Sequence, residues 1–180
     1  MTTLVRGANT VVAGPDQAGV VIGARWETGT TECDLVVLVC DEQRKVLTDE
    51  HFVFFNNPVS PDRAVVVRQT STPEPGGDVA QAQIHLSGMP ANAHRVVVAL
   101  AALADGASLD PVAGIGATAF NPRGGEVSAS YDVGAEKAGT ACLILVELYR
   151  HSGAWKLRAV GQGYGTGLRG LGRDYGVDIA

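Results

Sequence analysis

Residues 32–57 read Glu32-Cys33-Asp34-Leu35-Val36-Val37-Leu38-Val39-Cys40-Asp41-Glu42-Gln43-Arg44-Lys45-Val46-Leu47-Thr48-Asp49-Glu50-His51-Phe52-Val53-Phe54-Phe55-Asn56-Asn57. The run Leu35–Cys40 is continuously apolar, Val-rich and bounded by charged turn residues, which predicts a buried strand. A charged turn at 41–45 and a polar segment around 48–51 then lead to an aromatic strand over 52–57. The pair reads as a β-hairpin. Its open end collects oxygen-bearing side chains: Glu32 and Asp34 before it, Asn56 and Asn57 after it. Calcium is held by about six to eight oxygens, for which carboxylates and side-chain amides serve. Two readings stand at this point. These residues are calcium ligands, or they are strand-end polar groups that cap loops.

Working outward, the rest of the chain repeats the same texture. Val11-Val12 and Val20–Trp26 predict two short strands across the turn Gly14-Pro15-Asp16. Ala64–Gln69 predicts a β-branched strand. Val79–Leu86 alternates apolar and polar residues, the period of a strand with one wet face. Arg95–Ala104 predicts another buried strand, and Asp105–Gly114 a short helical or irregular link. Ala117–Asn121 with Glu126–Asp132 predicts a hairpin across Pro122–Gly125. Thr140–Tyr149 with Trp155–Val160 predicts a second, across His151-Ser152-Gly153. About ten short strands with at most one helix, at the end, indicate an all-β sandwich of two mostly antiparallel sheets and a single domain over 1–180.

Composition bounds the function. The chain has 180 residues, 46% hydrophobic, 18% charged and 23 glycines, with formal net charge −5. Many Gly, Val and Thr with few Lys favour strands and turns. No run of Lys or Arg is present, which argues against nucleic-acid binding. Three cysteines, Cys33, Cys40 and Cys142, lie in or beside apolar runs. An odd number without Cys-x-x-Cys spacing reads as buried, reduced thiols in a cytoplasmic protein. There is no hydrophobic signal core near Met1, and no apolar run long enough to span a bilayer.

Catalytic and cofactor patterns are thin. Gly165-Thr166-Gly167-Leu168-Arg169-Gly170 matches Gly-x-Gly-x-x-Gly. A dinucleotide fold needs that turn inside a βαβ unit with an acid about twenty positions on, and the sequence after Gly170 supplies neither. The expected role is a Gly-rich turn into a helix packing Leu168, Leu171 and Tyr175 on the sandwich. No local signature activates a cysteine, and no Cys or His pair has zinc spacing. His51, His85, His94 and His151 read as surface residues at strand ends or on polar faces. Glu126 and Glu147 form no evident acid–base pair. What remains are oxygen-rich loops, to which Asp62, Glu74 and Asp78 also contribute, with Gly76-Gly77 allowing close backbone approach.

Several blocks, in order, resemble the TerD family of bacterial tellurite-resistance and stress proteins. They are Leu4-Val5-Arg6-Gly7-Ala8-Asn9; Val21–Trp26; Glu32-Cys33-Asp34 before the buried strand; Asp49 and Phe52–Asn57; Pro90-Ala91 and Val96–Val98; Ala119–Pro122; Glu126–Asp132; and Glu147–Arg150 followed by Gly153–Tyr164, Gly167-Leu168 and Tyr175–Val177. The resemblance implies a two-sheet β-sandwich that binds calcium, has no enzyme activity, and works with other stress-response proteins. Carried onto this sequence, the ligand candidates are Glu32, Asp34, Asn56, Asn57 and Asp78. The family's Gly-Asp-Asn segment and acidic run after the second central strand are replaced here by Arg68-Gln69-Thr70-Ser71 and 74–81, which keep only Glu74 and Asp78 as acids. His51 stands where a further acid is common. Each lost carboxylate weakens a calcium site. The alternative expectation is therefore a degenerate member that has lost calcium and acts as a protein–protein interaction module.

Overall fold

The structure is a computed structural model that describes residues 1–29, 31–70 and 76–179. In chain order the strands are β1 (Thr2–Leu4), β2 (Asn9–Ala13), β3 (Gly19–Arg25), β4 (Cys33–Cys40), β5 (Phe52–Val53), β6 (Val65–Gln69), β7 (Ala80–His85), β8 (Arg95–Ala102), β9 (Gly116–Phe120), β10 (Val127–Asp132), β11 (Cys142–His151) and β12 (Ala154–Tyr164). One helix, α1 (Leu168–Tyr175), follows. They form two six-stranded sheets, ordered β1-β10-β9-β3-β7-β6 and β2-β12-β11-β8-β4-β5. All pairings are antiparallel except β1 with β10, where Thr2 faces Ala129 and Leu4 faces Tyr131.

The unbroken apolar runs are explained by burial on two sides. Along β4, Leu35, Val37 and Val39 enter the core between the sheets. Val36, Leu38 and Cys40 belong to a second cluster on the outer face of the second sheet. β8 divides in the same way, Val96, Val98 and Leu100 inward and Val97, Ala99 and Ala101 outward. The outer cluster is covered by Leu171 and Tyr175 of α1 and by Val177 after it. A strand with one wet face alternates, while a strand covered on both does not. β7 is the contrasting case: Ala80, Ala82 and Ile84 are buried, and Gln81 and Gln83 stand on the outer face of the first sheet.

The Gly-rich turn predicted before α1 is present. Gly167 takes φ 67° at the helix start and Gly176 takes φ 79° just past its end, the left-handed cap a glycine supplies best. The His151-Ser152-Gly153 connection is a tight turn with Ser152 at φ 50° and Gly153 at φ 78°, as a hairpin matching the strand twist requires.

Among the described residues there are twelve strands where about ten were expected; β1 is only three residues long, too short to show a period. Three expectations are corrected. β12 runs on to Tyr164, past Val160. The aromatic strand is two residues long and does not extend to Asn57. The chain closes into a tight loop there, with paired backbone hydrogen bonds between Phe54 and Asn57. Finally, His51 is buried at 6% exposure rather than a surface residue.

The outer face of the second sheet also carries one buried carboxylate. Glu147, on β11, is 1% exposed. It accepts from Arg95 of β8 and lies 3.5 Å from the guanidinium of Arg44 in the β4–β5 turn. Removing one partner of a buried ion pair strands the other.

Two stability measurements follow from this packing. Leu171→Ala removes the fully buried side chain of α1 from the outer cluster and is expected to cost about 2–5 kcal/mol in denaturant unfolding. Glu147→Ala is expected to cost about 3–5 kcal/mol by the same measurement, and Glu147→Gln less, because the amide oxygen still accepts from Arg95.

Candidate functional site

The residues predicted as cation ligands at the open end of the hairpin are used differently from one another. Asp34 opens β4 and is 1% exposed. One carboxylate oxygen accepts from the Phe55 backbone N–H at 3.4 Å, and the other from Gln69 Nε2, at the end of β6, at 3.3 Å. The carboxylate thus ties the hairpin of one sheet to a strand of the other. Burial raises its pKa above the ordinary value, against the lowering effect of the Phe55 and Leu35 N–H groups and of Gln69.

The other candidates do not converge on Asp34. Asn57 donates through Nδ2 to the carbonyls of Glu50, at 3.0 Å, and Phe52, at 2.9 Å. It works as the clasp of the tight loop, which is why the aromatic strand stops so early. The Asn56 and Glu32 side chains are exposed. The Glu32 carbonyl accepts from Leu103 N at 3.0 Å, so its backbone holds the β8 exit. Asp78 accepts from Gln81 Nε2 at 3.0 Å. Its carboxylate lies over Gly23, where an added Cβ would come within 2.1 Å of Oδ2. The neighbours Ile22 and Ala24 point into the core, so Asp78 occupies the opposite, outer face of the first sheet. Glu74 lies outside the described residues. Among the described residues, no three His, Cys, Asp or Glu side chains form a metal-holding group.

A part-buried polar chain that sequence reading missed supports the same hairpin. Thr48 Oγ1 and His51 Nδ1 are 2.8 Å apart, His51 Nε2 and Asp62 Oδ2 2.8 Å, and Ser60 Oγ donates to Asp62 Oδ1 at 2.7 Å. Asp62 also accepts from the Ala64 N–H. Burial pushes the Asp62 pKa up, but the bonds from Ser60, Ala64 and His51 outweigh it and hold the carboxyl below its ordinary value. Both ring nitrogens of His51 and both oxygens of Asp62 are occupied within the protein. The only sequence signal was a Thr, a His and an Asp at short spacings around the loop, which resembles any polar turn.

The thiols have the character predicted for them. Cys40 and Cys142 are buried and Cys33 half-buried, all unbridged. Burial, then Asp34 and Glu32, pushes the Cys33 thiol up to about 11. Burial pushes Cys142 to about 12 and Cys40 higher still, with Glu147 and Asp41 adding to the rise. Thiols held neutral are poor nucleophiles.

Among the described residues, twelve strands in two facing sheets, followed by one short C-terminal helix, make an all-β sandwich rather than an α/β fold. The TerD domain profile matches residues 1–175, and the chain belongs to the TerD family. It is 29% identical to tellurium resistance protein TerD of Serratia marcescens over 189 residues, covering 99% of this chain and 98% of that one. It is 27% identical to general stress protein 16U of Bacillus subtilis over 175 residues, covering 92% and 91%. The fold is similar to the crystal structure of a homologue of telluride resistance protein (TerD) from Streptomyces coelicolor A3(2), with TM-score 0.63 at 20% identity, covering 82% of this chain and 90% of that one. No helix among the described residues is long and apolar enough to cross a membrane.

The raised pKa of Asp34 sets a sign. Below the unfolded-chain value of 3.8 the group is protonated in both states and costs nothing. As pH rises through the higher folded value, ionising the buried carboxyl costs stability. Asp34→Asn removes that cost while Gln69 can turn its amide oxygen to the new Nδ2–H. Urea unfolding of the two proteins from pH 3.5 to 7 is expected to show the difference moving steadily in favour of Asp34→Asn. A constant difference across the range would refute the assignment.

Proposed function

We propose that this chain acts in bacterial stress response as a non-enzymatic interaction module of the TerD type, and that its Asp34 end does not hold calcium tightly. One observation carries this reading: both oxygens of the Asp34 carboxylate face N–H donors, Gln69 Nε2 and the Phe55 backbone. Calcium requires a shell of oxygens from several groups. The described residues bring a single carboxylate and one side-chain amide to this point, with Asn57 and Asp78 committed elsewhere. The donor set does not fit a tight calcium site. The non-enzymatic reading is supported by thiols raised by burial and by a His51–Asp62 pair closed on its own neighbours. The stress-response role is supported by the relatives of near-equal length named for tellurium resistance and general stress.

The test is thermal unfolding in chelator, in millimolar calcium and in millimolar magnesium. Ligand at about a hundred times Kd adds about 2.7 kcal/mol, which for a chain of this size is a rise of roughly 5–10 °C. The wild-type protein is expected to show no calcium-specific rise of that size, and one that disappears in Asp34→Ala would overturn the reading. Gln69→Asp places a second carboxylate beside Asp34. It is expected to lower the midpoint in chelator and to recover in calcium but not in magnesium.

A further inference from the structure

The outer face of the second sheet is apolar where α1 covers it and cationic beyond the helix. The register puts the charged residues side by side. Arg95 on β8 faces Tyr149 on β11, which faces Lys156 on β12. In the adjoining row, Glu147 faces Arg158, which faces Asn9 on β2. Residues opposite one another in a sheet stand about 5 Å apart at Cβ. Arg44 reaches in from the β4–β5 turn. Arg44, Arg95 and Arg158 therefore border one buried carboxylate, with Lys156 in the next row of the same face, in a chain whose formal net charge is −5.

That carboxylate does not use up their donors. Glu147 is engaged by Arg95 and Arg44. Arg158 lies directly across the ladder from Glu147, yet forms no ion pair among the described residues, and neither does Lys156, whose Nζ meets only Asn9 Oδ1 at 3.3 Å. The Nε atoms of Arg95 and Arg158 are both buried and both lack an acceptor among the described residues. Buried donors in folded proteins nearly always have partners, and an Arg Nε–H without one is costly to keep. Arg95 is further held with its guanidinium 5.8 Å over the Tyr149 ring. Asp41, three residues before Arg44, accepts from the Gln43 and Lys45 N–H groups of its own turn.

We propose that this face, between Arg95, Lys156 and Arg158 beside Tyr149, is a binding site for a small multivalent oxyanion of the phosphate type. Such a ligand carries several acceptor oxygens and at least two charges. It matches two guanidinium groups and an ammonium spread over adjacent strands. Glu147 acts here as a positioning residue that fixes Arg95. The site lies at the Cys40 end of β4, six residues from Asp34, which is about 20 Å along a strand. The inference does not rest on whether the Asp34 end holds calcium.

The experiment is a titration of isotopically labelled protein with inorganic phosphate and pyrophosphate in one arm and phosphoserine in another, at low salt, following the arginine Nε–H resonances. Saturable shifts of the Arg95 and Arg158 signals are expected at or below about 1 mM ligand, with the affinity falling about tenfold in Arg158→Gln. Lys156→Gln, an exposed-end change that leaves both arginines in place, is expected to weaken binding severalfold with an unchanged thermal midpoint, so the result stands even if Arg158→Gln folds poorly. Tighter binding of phosphoserine than of the inorganic ions assigns a phosphoryl group on an organic carrier, and the reverse order assigns a free oxyanion. The absence of saturable shifts up to about 10 mM of every probe would overturn the proposal, as would equal affinity in wild type and both variants.

Discussion

The two-sided burial of β4 and β8 is the constraint on which the rest of the structure depends. β8 lies at the centre of the second sheet and β4 beside it, next to the short edge strand β5, and each sends alternate residues into the sandwich core and into the outer cluster. An antiparallel sandwich normally leaves its outer faces wet. Here the outward Val36, Leu38, Val97 and Ala99 demand a cover, and α1 provides it through Leu171 and Tyr175. The helix in turn needs its Gly-rich entry and its left-handed Gly176 exit in order to lie flat on the sheet. The same face turns polar immediately beyond the helix, where Glu147 and its arginines begin. One sheet surface is thereby divided into a structural half and a solvent-facing half.

The polar contacts in and around the hairpin explain why residues that suggest a metal site do other work. Asp34 spans the two sheets through Gln69, Asn57 clasps its loop, and Asp78 is accommodated only because residue 23 is glycine. The chain keeps the family's outline at this end with amide donors set against its carboxylate. A carboxylate surrounded by N–H groups is a cross-link between elements. The same carboxylate surrounded by oxygens would be half of a cation site.

Much of the architecture could be read from period alone. Val79–Leu86 shows its wet face in Gln81 and Gln83, and the β11–β12 hairpin announces itself by Ser152-Gly153. The apolar runs of β4 and β8 declare burial, but what covers their second face lies far downstream and leaves no mark in the runs themselves. β5 was over-read because Phe-Val-Phe-Phe looks like strand throughout, while the feature that ends it is a side-chain amide reaching back to two carbonyls. At the candidate site the residue types were visible and their convergence was not. The burial of Glu147 left no local signal, since it depends on Arg44 and Arg95 arriving from two other elements. His51 was misplaced for the same reason: its partners Thr48 and Asp62 are ordinary loop residues until the loop closes.

The strand order carries a consequence for how the chain must be made. β4 and β8 are synthesised in the first two-thirds of the chain, but β11, β12 and α1, which pair with them, shield them and close the sheet against β2, come last. Until α1 emerges from the ribosome, the nascent second sheet keeps an apolar outer face, and until β11 emerges it keeps an open edge. Such intermediates aggregate readily, and non-local strand pairing slows escape from them. The yield of folded chain is therefore set by how well that exposed sheet is sheltered before α1 arrives.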